Sequence, residues 1–140
     1  MEHQGKITGG CFCGHVRYEV AGNMLNTGLC HCVDCQRLTG GTAWPFFVVF
    51  HSDLKVTGDI VEFSRTGASG HEVYMGSCAV CGSRLFGRSE HWGKIRTVSA
   101  SSLDDPSLFT PKMHLWVAHA PSWTTFIQDL PKFEHNPPMK

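Results

Sequence analysis

Apolar and polar residues alternate along His15-Val16-Arg17-Tyr18-Glu19-Val20 with the period of two that marks a half-buried strand. Residues 43–50, 59–63, 71–75, 94–98 and 114–117 are rich in β-branched and aromatic side chains and predict further strands. Fifteen glycines and seven prolines cut the chain into short pieces, so the architecture reads as mainly β. Helix is confined to short turns. One is predicted over 35–38, with Asp34 as its N-cap and Gly40 as its terminator, and another at Pro106-Ser107-Leu108. Only the tail, 135–140, reads as frayed.

At 140 residues the chain suits one domain, residues 1–140, with a core of ordinary size. Twelve basic residues balance twelve acidic ones, and this zero net charge gives no electrostatic footprint for nucleic acid. A small neutral or zwitterionic ligand suits it better. The sequence has no run of 18 apolar residues to span a bilayer, and its first residues lack the charged and apolar regions of an export signal. The expectation is a soluble, cytoplasmic protein without a membrane partner.

That expectation changes how the seven cysteines are read. An odd count at spacings of two and three, in a reducing compartment, points to metal ligands rather than disulfides. They form three groups: Cys11 and Cys13; Cys30, Cys32 and Cys35; Cys78 and Cys81. In a strand, Cys11 and Cys13 would share a face and clamp one ion; Cys78 and Cys81 form a knuckle. Gly14 and Gly82 follow the two clamps and can take the positive φ that such turns need. Four thiolates close a tetrahedral zinc shell, so Cys11, Cys13, Cys78 and Cys81 are assigned to a structural zinc. On zinc-finger precedent such a site contributes on the order of 10 kcal/mol to folding.

Cys30-His31-Cys32-Val33-Asp34-Cys35 overlaps a C-x-C with a C-x-x-C and offers three sulfurs to a second ion. Three protein ligands and one exchangeable position is the pattern of catalytic zinc. Three thiolates leave the ion with one net negative charge, which weakens it as a Lewis acid for making hydroxide and suits it to a soft thiol. Two other readings stand beside this one: a structural site completed by a histidine, and a metal-free thiol cluster. His31 neighbours two of the ligands, but strand geometry would point it to the opposite face. His114 and His119 read as ordinary polar or core residues. The sequence contains neither H-E-x-x-H nor the H-x-E with P-C-x-x-C of nucleobase deaminases: His71 and Glu72 are adjacent, and Ser77 precedes Cys78.

Several segments together resemble one family. They are Gly9-Gly10-Cys11-Phe12-Cys13-Gly14 with Val16-Arg17-Tyr18, Cys30-His31-Cys32-Val33-Asp34-Cys35-Gln36-Arg37 with Gly40, and Cys78-Ala79-Val80-Cys81-Gly82-Ser83-Arg84-Leu85. Ser102-Leu103-Asp104-Asp105-Pro106, Pro111-Lys112-Met113-His114, Trp123 and Leu130-Pro131-Lys132-Phe133 extend the match along nearly the whole chain. The sequence resembles the glutathione-dependent formaldehyde-activating enzyme family, also called the centromere protein V family. The resemblance implies an Mss4-like fold of several short antiparallel β-sheets around a zinc site, with little helix. It implies a structural zinc on Cys11, Cys13, Cys78 and Cys81 and a labile one on Cys30, Cys32 and Cys35. The family's named activity is a carbon-sulfur lyase reaction forming S-hydroxymethylglutathione from glutathione and formaldehyde. Arg37, Arg84 and Arg88 are candidates to meet the tripeptide's carboxylates. The rival expectation is a non-catalytic zinc module that binds a partner or stores labile metal.

Overall fold

The computed structural model describes residues 6–138, which form ten strands and one α-helix. The strands are β1 (Ile7–Gly10), β2 (Arg17–Val20), β3 (Asn26–Cys30), β4 (Trp44–Phe50), β5 (Leu54–Thr57), β6 (Ile60–Thr66), β7 (Glu72–Cys78), β8 (Arg84–Ser89), β9 (Ile95–Ser99) and β10 (His114–Leu115); the helix is α1 (Val33–Thr39). The mainly β reading holds. β1, β2 and β5 make a three-stranded antiparallel sheet, and the others make a seven-stranded sheet in the order β10-β3-β4-β9-β8-β7-β6. Within that larger sheet only β10 and β3 run parallel.

β4 sits inside the larger sheet and explains the apolar run Trp44-Pro45-Phe46-Phe47-Val48-Val49-Phe50, because both of its faces are covered. Phe47 and Val49 pack with Val98 against Ile7, Tyr18 and Val20 of the small sheet. Each such side chain contributes about 1.5–3 kcal/mol by leaving water. Trp44 and Phe46 face the other way, into a cluster with Cys35 and Leu115. A third cluster, Val16, Cys78 and Leu85, lies where the small sheet meets the β7–β8 turn.

β1, β3, β5 and β8 lie outside the segments that alternation had marked. Each is four to six residues long and carries glycine or polar residues, so neighbour pairing rather than pattern sets it. The strand expected over 114–117 stops after Leu115, since Trp116 takes a left-handed φ of 57°. The tail is not frayed at its start: the Trp116 amide donates to the His135 carbonyl, and Trp116 Nε1 donates to Asn136 Oδ1 at 2.8 Å. Residues 139–140 of that predicted tail lie outside the described residues. The turn at Pro106–Leu108 forms as a 3-10 helix capped by Asp105.

Helix α1 begins two residues before the predicted 35–38 turn, and its N-cap is Cys32 rather than Asp34. Cys32 Sγ accepts the Cys35 amide at 3.3 Å, while the Asp34 carboxylate is held by Arg65 at 2.6 Å. Gly40 ends the helix in the left-handed region, as its sequence position indicated.

Candidate metal centres

The fold brings Cys11, Cys13, Cys78 and Cys81 together, with all four sulfurs within 4.8 Å of one another. Cys11 and Cys13 do not lie in a strand, as expected, but in the turn after β1, where the Gly14 amide donates to the Cys11 carbonyl. Cys78 ends β7, and the Gly82 amide closes the matching turn onto its carbonyl. Gly14 and Gly82 have φ of 84° and 80°, which L side chains rarely adopt. The Phe12 amide reaches the Ser83 hydroxyl at 3.0 Å and locks one turn to the other.

Sulfur spacing tests whether an ion fits. A tetrahedral zinc with metal–sulfur bonds of about 2.3 Å holds its sulfurs about 3.8 Å apart. Cys11 and Cys13 stand at 3.6 Å, and Cys13 and Cys78 at 3.9 Å. Amides of Val16, Val80 and Cys81 point at Cys11 Sγ or Cys78 Sγ, an arrangement that favours thiolates. The Ser83 hydroxyl and amide pull the Cys81 pKa down to about 5. Cys13 goes up to about 11: the His15 amide favours its thiolate, but desolvation and three neighbouring sulfurs outweigh that amide. Four thiols this close cannot all ionise alone, so the donor set fits a soft divalent cation.

Cys30, Cys32 and Cys35 form the second group, again within 4.8 Å. Cys30 is the last residue of β3, Cys32 the helix cap and Cys35 the third residue of α1, so a strand end and a helix start fix all three. Cys35 is 7% exposed, whereas Cys30 and Cys32 are only half-buried. None is cross-linked. Hydrogen bonds from the Cys30 and Cys35 thiols, with the Cys35 and Asp34 amides, hold the Cys32 pKa far down, at about 2. The same contacts push Cys30 up to about 12 and Cys35 higher still, with burial adding to both. Among the described residues no fourth Cys, His, Asp or Glu joins the three sulfurs.

His31 stays out of this group and is buried against His114 and Phe126. His114 Nε2 accepts the Ile127 amide at 3.1 Å, which assigns its proton to Nδ1 and makes it the donor to His31 Nε2 at 2.8 Å. His31 then keeps its own proton on Nδ1, which is buried on the side of the Thr42 backbone. Burial lowers the pKa of both rings, so the pair is neutral. His119 does more than fill space: its Nδ1 accepts the Val33 amide at 3.1 Å and satisfies a donor at the start of α1. Gln36 Nε2 donates to the carbonyls of His31 and His119, tying the helix to that loop.

The three candidate arginines separate. Arg37 is exposed on α1. Arg88 is engaged by Glu62 through two hydrogen bonds of 2.9 Å and lies over the Tyr74 ring. Arg84 alone is at the three-sulfur group. Its guanidinium stacks on Trp44 at 4.1 Å, with the thiols of Cys35, Cys30 and Cys32 beside it. Burial lowers its pKa, and those sulfurs raise it. Trp44 and Trp116, which wall the group, were not singled out from sequence; a left-handed tryptophan gives no sequence signal.

The family model described as "Glutathione-dependent formaldehyde-activating enzyme" matches residues 6–119. Among solved structures, the crystal structure of a Rhodobacter sphaeroides protein is similar, with a TM-score of 0.56 and 24% identity. That match covers 71% of this chain and 92% of the other, and it is a likeness of fold. None of the curated proteins matches. No helix among the described residues is long and apolar enough to cross a membrane.

Proposed function

Since the chain belongs to the glutathione-dependent formaldehyde-activating enzyme family, we propose that it is a zinc-dependent carbon-sulfur lyase acting on the adduct of formaldehyde with glutathione or a similar small thiol. Cys30, Cys32 and Cys35 hold the reactive zinc, which is labile; Cys11, Cys13, Cys78 and Cys81 hold a structural one. The observation that carries this reading is the three-sulfur group without a fourth protein donor among the described residues, with Cys30 and Cys32 only partly buried. When bound there, zinc supplies a soft Lewis acid that favours a thiol as its thiolate.

The chain's own residues do the rest. Neighbouring thiols and amides favour the Cys32 thiolate, and the end of β3 and the first turn of α1 fix the other two sulfurs relative to it. Trp44, Phe46 and Leu115 exclude water behind the sulfurs. The reaction needs no redox partner: the thiol sulfur forms a bond to the formaldehyde carbon, the carbonyl π pair moves to oxygen, and that oxygen takes up the proton the thiol lost. The reverse breaks the same carbon-sulfur bond.

The test compares the rate of hydroxymethylthiol formation with zinc-loaded protein, with Cys32→Ser and without protein. The expected result is a rate above background only for the wild type. Equal rates in all three remove the catalytic claim and leave a non-catalytic zinc module.

A further inference from the structure

We propose that Arg84 is the counter-ion of the three-cysteine group and selects an anionic sulfur, over a neutral ligand, for the position that the three cysteines leave open. The inference rests on the thiol-binding reading above and adds the residue that gives the site its charge preference.

The argument starts from charge. A divalent ion with three thiolates carries one net negative charge, and a fourth thiolate would make it two. Beside Cys13, which is exposed, water can screen such a charge. Beside Trp44 and Cys35, 5% and 7% exposed, it does so much less, and an uncompensated charge on that side is costly. A cation held against the sulfurs removes that cost.

β8 is built to put one there. In an unbroken strand Arg84 would share its face with Phe86 and Arg88. The pairing of β7 with β8 shifts at Gly76 and Ser77, opposite Phe86 and Arg84, leaving Leu85 as the extra residue of a bulge. The guanidinium therefore lies over Gly87: a Cβ at that position would stand 3.5 Å from Arg84 Nη2, 3.7 Å from Trp44 and 2.4 Å from Thr97 Oγ1. Thr97, rather than the stack, is what excludes a side chain at Gly87. Arg84 Nε donates to the Phe86 carbonyl at 3.2 Å and anchors the group.

Its partners, or lack of them, point the same way. Arg17, Arg65 and Arg88 each hold a carboxylate. Arg84 is buried deeper than Arg17 and Arg88, and among the described residues it has no carboxylate and keeps a buried Nη1 with no hydrogen-bond partner. The sulfurs against it are those of Cys35, Cys30 and Cys32, which metal binding would turn into thiolates. A buried guanidinium balanced by thiolates, with a donor to spare, favours one more thiolate.

The experiment uses the full chain loaded with cobalt(II), whose visible and near-ultraviolet bands report sulfur ligation at each group. Wild type, Arg84→Met and Arg84→Lys are titrated with 2-mercaptoethanol, which has no carboxylate for the arginine to hold, and with imidazole as a neutral ligand. The expected result for Arg84→Met is about tenfold weaker thiol binding, equivalent to about 1.4 kcal/mol, with imidazole binding unchanged. Arg84→Lys, which keeps the charge but loses the planar stack on Trp44, should fall between the wild type and the methionine variant. Loss of the second cobalt alone from Arg84→Met also supports the counter-ion role. Unchanged thiol affinity in Arg84→Met with both ions retained overturns it, as does a lysine variant as weak as the methionine one. Should Arg84→Met fail to fold, Arg84→Gln is read by the same criteria. If the wild type binds no thiol, the functional reading fails, and the second cobalt's affinity in the variants still decides the role of Arg84.

Discussion

The two sulfur groups are built in opposite ways. Cys13 and Cys78 meet across 65 residues of chain, from turns that end strands of different sheets. Cys30, Cys32 and Cys35 come from one six-residue segment that a helix cap and a strand end already hold. The first group can assemble only when the sheets have docked, so an ion bound there is coupled to folding and offsets the entropy of closing a long loop. The second group is local, so emptying it should leave the sheets as they are. Closure and openness are thus consequences of chain separation as well as of ligand number.

The strongest test of that contrast is one cysteine from each group. Cys78→Ser should lose the structural ion and the cooperative thermal transition. Cys32→Ser should lose only the second ion and keep its melting temperature, because serine also caps helices. Metal content and a thermal melt on both variants check this; a Cys32→Ser melt as damaged as that of Cys78→Ser would erase the distinction. A second way to sharpen it is graded chelation. A colorimetric chelator should withdraw one ion per chain rapidly with circular dichroism unchanged, and the other only as the β signal collapses.

Smaller effects probe the wall behind the three-sulfur group. His114→Ala removes the donor to His31 and the acceptor of the Ile127 amide, and leaves a cavity. The expected cost is about 2–4 kcal/mol in denaturant unfolding. The same pair gives a pH dependence. Burial lowers both folded pKa values, so below about 6.5 the unfolded chain takes up protons that the folded one refuses. Stability is full above that pH and falls as pH drops through it, and the His114→Gln variant should show a shallower slope below about pH 6.5. Smallest of all, Asp34→Ala should cost no more than about 1 kcal/mol, since it breaks only the half-exposed pair with Arg65. A larger loss would restore Asp34 as the helix cap.

These comparisons also show what sequence could reveal. The three cysteine groups, the glycines after the two clamps and the helix terminator at Gly40 are local chemistry, and local chemistry is written in adjacent residues. The mistaken cap at Asp34 had a distant cause: its carboxylate is taken by Arg65, 31 positions away, and the neighbouring sulfur took its place. The clamp at Cys11 reads as a strand by spacing but folds as a turn because the Cys11 amide bonds the Val16 carbonyl. Arg84 was legible as a cation and illegible as a neighbour of Trp44, since a bulge set by pairing with β7 decides its direction. His119 capping α1 from 86 residues away is a contact that only the docked tail segment makes possible.

β4 carries a further consequence. Trp44 and Phe46 look toward the sulfurs, while Phe47 and Val49 look into the space between the sheets. Neighbouring letters of one seven-residue word therefore answer to different demands, ligand chemistry for the even positions and structural integrity for the odd ones. With oily side chains on both sides, alternation alone cannot stop the strand from sliding by one place. What pins it is shape: an indole of the size that fits beneath a guanidinium, opposite Cys30 in the ladder.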